Sequence, residues 1–365
     1  MRLALVSPLP PARTGVAEFS ARLAEELERF AQVDSMQQSE PARLREYDRR
    51  LYQIGNNPLH TGAYEAALAV PGVVELHDAV LQHFLLGRLT RDEYVEEFVY
   101  NADEWSRELA GELWDRRAQS AADEAYFRYP MLRRVVGSAS AVIVHNPGAA
   151  RRVRDAIAES APVFTIPHFV ELEAEHPADA RSGFEIAPDV LLIGCFGFQR
   201  PTRRLRSVLR AAVRLSVPWR LLVVGEFVSP DYEASLADLL GHPNVIRKPY
   251  VPMHEWMQLA AAVDVCVNLR WPSAGETSGV AMRMMALSKP VIVTDSEEWA
   301  DIPDGAVLRI DSGEPEEDEL VELLELLARE PDMRAASGAA ARRHLEQRHS
   351  LAAVMPLYRR ALTLD

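Results

Sequence analysis

Short apolar runs alternate with amphipathic stretches along most of the chain. Residues 2–7 (RLALVS) read as a buried strand, and the loop PLPPARTGVAEFS leads into an amphipathic helix over Val16 to Phe30. LYQIGNN, GVVELHD and SASAVIVHN are further runs of strand type, separated by helical or turn segments. Between the last two, the charged stretch from Arg91 to Val136 has a helical pattern, which predicts helices inserted beside a sheet. From Thr165 to Pro188 the periodicity lapses into prolines and acids. The alternation then restarts: VLLIGCFGF, a helix over 203–215, WRLLVVGE, a helix over 231–240, NVIRKPY, a helix over 253–262, VDVCVNLR, a helix over 279–287, KPVIVTD and AVLRI. Glu316 to Leu364 is almost wholly helical in pattern. Strands alternating with helices predict α/β architecture, two doubly wound Rossmann-like units whose parallel sheets are covered on both faces. Such units bind ligands outside the carboxyl ends of their strands.

Length agrees, since 365 residues exceed what one core normally serves. Hydrophobic content of 48% and charged content of 26% are ordinary for a globular protein, and no apolar run is long enough to span a bilayer. Pro8, Pro10 and Pro11 interrupt the first apolar run too early for a signal peptide. Two cysteines, Cys195 and Cys266, are too few for a disulfide framework or a zinc site, which predicts a reduced, cytoplasmic protein. A net charge of −14 argues against a nucleic-acid partner, so any anion must bind locally.

Three places could hold chemistry. In GCFGFQRPTRRLRSVLRAA a strand gives way to a helix near Thr202, which can cap it. Arg203, Arg204, Arg206 and Arg210 load that helix start with cations, against the macrodipole, and an anion on the free backbone N–H groups would account for them. The loop GETSG offers small residues and N–H donors at Thr277, Ser278 and Gly279, while Glu276 suits sugar hydroxyls better than phosphate. His77 and Asp78 follow a buried strand, where side chains face a cleft, whereas His60, His83, His145 and His168 read as ordinary. Gly15, between the first strand and helix, places a backbone N–H where an anion could meet it.

PLPPARTGVAEFS, YQIGNNPLH, PGVVELHDAVLQHF, AVIVHNPGA, FGFQRPTRRL, NVIRKPYVP and NLRWPSAGETSGVAMRMMALSKPVIV occur in the order and spacing of the bacterial family 4 glycosyltransferases. The chain resembles these GT-B enzymes from Leu3 to about Asp304.

That resemblance implies retaining transfer of a sugar from a nucleoside diphosphate sugar to a glycan, lipid-linked saccharide or small metabolite. Residues 1–167 would bind the acceptor, with the insertion at about 91–136; 168–188 would be a linker; 189–343 would bind the donor. A helix at 344–365 would cross back to the N-terminal domain. Arg203 falls where the family has a diphosphate-binding lysine; Phe198 falls near a second basic residue, leaving that contact to Arg200. His77 matches the histidine facing the donor sugar, with Asp78 assigned to the acceptor. Tyr250 and Val251 match the segment flanking the nucleobase. Glu276 matches the first acid of a paired-glutamate motif; the second, a ribose ligand, is replaced by Met284 with Arg283 beside it. His77, Glu276 and Arg203 are therefore the expected catalytic set, with no cofactor, no essential metal and at most peripheral membrane contact. A pseudo-glycosyltransferase joining a nucleotide cyclitol, or a non-catalytic nucleotide-sugar-binding protein, are alternatives on the same cleft.

Overall fold

A computed structural model describes residues 1–12, 14–156, 161–172, 181–184 and 186–364, excluding the side chain of Ser182. Part of the expected linker, 173–180 and 185, lies outside the described residues. The continuous apolar runs form two six-stranded parallel sheets. The first comprises β1 (Arg2–Val6), β2 (Gln32–Met36), β3 (Arg49–Ile54), β4 (Val73–Leu76), β5 (Ala141–Val144) and β6 (Val163–Thr165), in the order β2-β1-β3-β4-β5-β6. The second comprises β7 (Leu191–Phe196), β8 (Trp219–Val224), β9 (Val245–Lys248), β10 (Val265–Val267), β11 (Val291–Thr294) and β12 (Leu308–Ile310), in the order β12-β11-β10-β7-β8-β9. Every residue of β4, β5, β7 and β11 is buried, because helices cover both faces and leave no side of these strands for polar residues.

In the second sheet the chain leaves β7 toward β8 on one side and returns to β10 on the other. Connections diverge at this switch point and open a crevice between them. The loops following β7 and β10 therefore carry the segments around Arg203 and Glu276.

Helices Arg91–Asn101 and Arg107–Asp115, with shorter turns to Ser138, fill the stretch between β4 and β5. The C-terminal acids and apolar residues form helices Glu316–Arg329, Pro331–Arg348 and Leu351–Leu362. The last packs Val354, Tyr358 and Leu362 among Leu3, Leu5 and Leu51 of the first sheet, although the two helices before it pack on the second. Its proline, Pro356, lies inside the helix.

Two local expectations need correction. Thr202 does not cap a helix: Pro201–Arg203 is a 3₁₀ turn, Arg204 takes a left-handed conformation (φ 56°), and the α-helix runs from Leu205 to Ala212. Nor do the arginines there share an anion. Arg204 makes a bidentate pair with buried Glu316 (2.9 and 3.1 Å from Nε), Arg210 reaches Glu317 (3.5 Å) and Arg206 donates to the Ser235 carbonyl (2.9 Å). The acids opening Glu316–Arg329 neutralise that face, leaving Arg203 to point elsewhere.

Candidate active site in the cleft

The site grows from the β7 and β10 loops. After β7, Gly197 (φ 94°) turns the chain, and its missing side chain leaves space beside the Arg203 guanidinium. Arg203 Nε and Nη1 are sealed from solvent without a hydrogen-bond partner. Burial, then the charges of Arg270 and Arg200, push its pKa down. A guanidinium keeps its proton even so, which leaves a buried positive charge with unpartnered donors.

After β10, the Arg270 backbone N–H donates to Thr294 Oγ1 (3.0 Å) and that of Trp271 to the Thr202 carbonyl (2.8 Å). The second bond ties the Arg270 loop to the turn bearing Arg203. Glu276 pairs with Arg270 Nη1 and with Arg200 Nη2 (3.4 Å), and accepts from the Ala274 N–H (2.9 Å). Burial raises its pKa, but Arg270 and Arg200 outweigh burial and hold the carboxyl ionised. Asp78, accepting from the Asn56 N–H (2.7 Å), moves the opposite way because it is desolvated and faces Glu276. A carboxylate, three guanidiniums and a second, more easily protonated acid thus meet in one crevice.

The first sheet supplies the facing wall. The Ala79 N–H donates to the Ala274 carbonyl (2.7 Å), Asn146 Nδ2 to the Gly275 carbonyl (2.9 Å) and Thr277 Oγ1 (3.0 Å), and Arg152 Nη1 to the Ser273 carbonyl (3.1 Å). Gly275 (φ 81°) permits this approach, since a Cβ there would lie 2.8 Å from that of Ala79. His77 sits behind Asp78 in an aromatic cluster with Phe19, His145 and His168, its Nε2 buried and unpartnered. Burial and the neighbouring histidines drive its pKa well down, so the ring is neutral. Glu75, wholly buried on β4, accepts from Gln53 Nε2 (2.7 Å) and Tyr358 Oη and faces His145 Nε2 (3.3 Å). Glu75, His77 and His145 each place one ligand atom within 4.8 Å of the others. Four-coordinate zinc would draw neighbouring ligand atoms to about 3.3 Å. Gln53 and Tyr358 already occupy the Glu75 oxygens, whereas Nε2 of His77 and of His145 has no hydrogen-bond partner.

The structure thus brings together Arg200, Arg203, Glu276, Asp78 and Thr277, with His77 just behind. Ser278 Oγ is occupied in capping helix Gly279–Ala286 through the Ala281 N–H (3.3 Å). Gly15 opens the exposed start of helix Gly15–Leu27, while Tyr250 (49% exposed) and buried Val251 follow β9, two strands from β7. Met284 does not face a ligand: it is 0% exposed in the core, whereas Arg283 pairs across the cleft with Glu18 (2.7 Å). Arg270, Asn146 and Arg152, which also line the cleft, were not singled out in the sequence. Asn146 follows buried β5 as Asp78 follows β4, so the same strand-end rule could have found it.

Residues 187–328 match the family described as Glycosyl transferases group 1. The whole chain has the GT-B fold. It superposes on sucrose-phosphate synthase from Thermosynechococcus elongatus over 100% of both chains, with a TM-score of 0.72 at 16% identity. HepE from Anabaena, solved with UDP and glucose, aligns over 100% of this chain and 99% of its own, with a TM-score of 0.71 at 14% identity. WaaG, a glycosyltransferase involved in lipopolysaccharide biosynthesis, covers 100% of both at a TM-score of 0.64 and 14% identity. No curated protein sequence matches this GT-B chain. Among the described residues, none of its helices is long and apolar enough to cross a membrane.

Proposed function

We propose that this chain transfers a sugar, with retention, from a nucleoside diphosphate sugar to an acceptor held by the N-terminal half, without an essential metal. The observation that carries this reading is Arg203, whose Nε and Nη1 are buried and unpartnered at the switch point of the second sheet. A diphosphate supplies the missing acceptors. HepE, which shares the fold, has been solved with UDP and with UDP-glucose, and that supports a nucleotide sugar as the donor class.

In this reading the diphosphate lies against Arg203, and guanidiniums already in place stabilise the charge that grows on it as the glycosidic bond breaks. Glu276 accepts from hydroxyls of the transferred sugar, and neutral His77 lines the same region. The departing phosphate serves as base toward the acceptor hydroxyl. Tyr250 and Val251 flank the nucleobase, Gly15 and the 277–279 backbone contribute N–H groups, and Asp78 faces the acceptor. Ribose recognition passes to Arg283, because Met284 points into the core.

Arg203→Ala should weaken binding of a nucleoside diphosphate by roughly 1.5–3 kcal/mol, the range for hydrogen bonds to charged groups. Thermal-shift titration with UDP, GDP and ADP measures this, since a ligand of the folded state raises its melting temperature. Unchanged binding in a folded variant would remove Arg203 from the site.

A further inference from the structure

The resemblance leaves a gap at Phe198, an uncharged and 48% exposed side chain where a second basic residue belongs. Arg200, the nearest cation in sequence, has a 45% exposed side chain at the rim. Arg270 is far better placed. Its side chain is only 11% exposed, its Nε is sealed without a partner, and the Trp271–Thr202 bond fixes its loop to that of Arg203.

Glu276 presents the complementary problem. One oxygen takes Arg270 and Arg200; the other takes the Ala274 N–H (2.9 Å) and sits 3.5 Å from Ser273 Oγ. An ionised carboxylate has about four lone-pair sites. Arg270, Arg200 and the Ala274 N–H engage three of them, while the single Ser273 hydroxyl proton lies closer to Glu298 (3.1 Å), so Glu276 keeps at most one site for sugar hydroxyls until a partner leaves. The charge balance says which one. Arg200, Arg203 and Arg270 outnumber the two facing acids, Glu276, which is firmly ionised, and Asp78, which is more easily protonated, and this leaves a surplus of positive charge. The diphosphate of a nucleotide sugar carries two negative charges and offers guanidinium a planar, bidentate match.

We propose that Arg270 is the second cationic ligand of the donor diphosphate, and that it reaches the diphosphate by giving up Glu276, which is thereby released to the transferred sugar. This rests on the donor class proposed above. Glu276 acts as a resident stand-in anion: it keeps Arg270 ordered in the empty cleft and becomes a full sugar ligand only once a diphosphate replaces it. The exchange ties sugar recognition to diphosphate occupancy.

The test is calorimetric titration of the full chain with inorganic pyrophosphate and with UDP. R270M should weaken pyrophosphate at least tenfold, comparably to R203M, and R270K should fall between R270M and the wild type. E276Q should tighten pyrophosphate several-fold, because the competing carboxylate has lost its charge, while transfer of the sugar falls. A purely structural Glu276 predicts unchanged or weaker binding in E276Q, and that result overturns the exchange. Weakened R203M beside unchanged R270M or R270K overturns the role of Arg270 and leaves the donor reading standing. Unchanged binding in both R203M and R270M overturns the donor reading itself. Should R270M not fold, R270K and E276Q decide the question.

Discussion

Single buried groups set the pH response of this molecule. His60 donates from Nδ1 to the Gln53 carbonyl (2.9 Å), while its Nε2 is buried without a partner. Burial lowers its pKa from 6.5 to about 4. The unfolded chain takes up a proton below pH 6.5 that folded His60 refuses, so its contribution is complete above that pH and declines as pH falls toward about 4. At pH 5 the loss is about 2 kcal/mol. His60→Asn, which can keep the bond to Gln53, should flatten the fall by that amount in denaturant unfolding at pH 7 and pH 5. Parallel profiles for both proteins would mean that His60 titrates normally. Comparison with the variant also cancels the opposite contribution of Asp78, whose raised pKa makes the folded state take up a proton first as pH falls. What sequence showed at this scale was uneven. The placing of His77, Arg203 and Glu276 after buried strands was readable from position, but Glu316 and Glu317, the acids that pair with Arg204 and Arg210, lie more than a hundred residues away. Four arginines within eight positions could not reveal which one carries buried nitrogens without a partner.

Among the elements, helix packing depends on a few absent side chains. Gly338 lies buried in helix Pro331–Arg348, and a Cβ there would run into the Ser288 carbonyl just after helix Gly279–Ala286. Alanine normally favours a helix over glycine by roughly 0.5–1 kcal/mol. Overpacking against rigid backbone costs about 1–3 kcal/mol, and it outweighs that gain. Gly338→Ala should therefore destabilise the chain by about 1–2 kcal/mol, measured as a lower denaturation midpoint with an unchanged slope. A raised midpoint would show that the helix can retreat. Periodicity revealed these helices and most of their limits: the expected 253–262 helix is Met253–Ala262. The expected helix at 231–240 is instead two short pieces, Pro230–Ala234 and Ala237–Leu240. The left-handed start at Arg204 was likewise invisible, since that conformation is imposed by the Glu316 pair and the packed turn rather than by local preference.

On the scale of the whole molecule, the last helix joins the two halves. Leu351–Leu362 covers the first sheet after two helices on the second, and Tyr358 Oη donates to buried Glu75. A chain ending at Ser350 loses that cover, exposing Leu3, Leu5 and Leu51, which are 0% exposed in the intact molecule. The expected outcome is selective unfolding of the first sheet with a persisting second transition in calorimetry, and one undiminished transition would mean that the helix is dispensable. Tyr358→Phe is the milder probe. It withdraws a donor from a buried carboxyl and should cost about 1–3 kcal/mol.

The sequence by itself determined the α/β class, the pair of parallel sheets and the loops that meet in the crevice. Buried parallel strands must be continuously apolar, and polar residues at their carboxyl ends mark the crevice; both are local patterns. Tertiary structure alone decided which polar residues confront one another. Met284 faces the core and Arg283 the cleft because a helix has one inward face, and its rotation is set by packing against neighbours distant in the chain. Arg200 meets Glu276 between two loops of one sheet, and Asn146 meets Thr277 between the two sheets, because folding matches charge and hydrogen-bond partners from segments distant in the chain. No spacing along the chain encodes that distance.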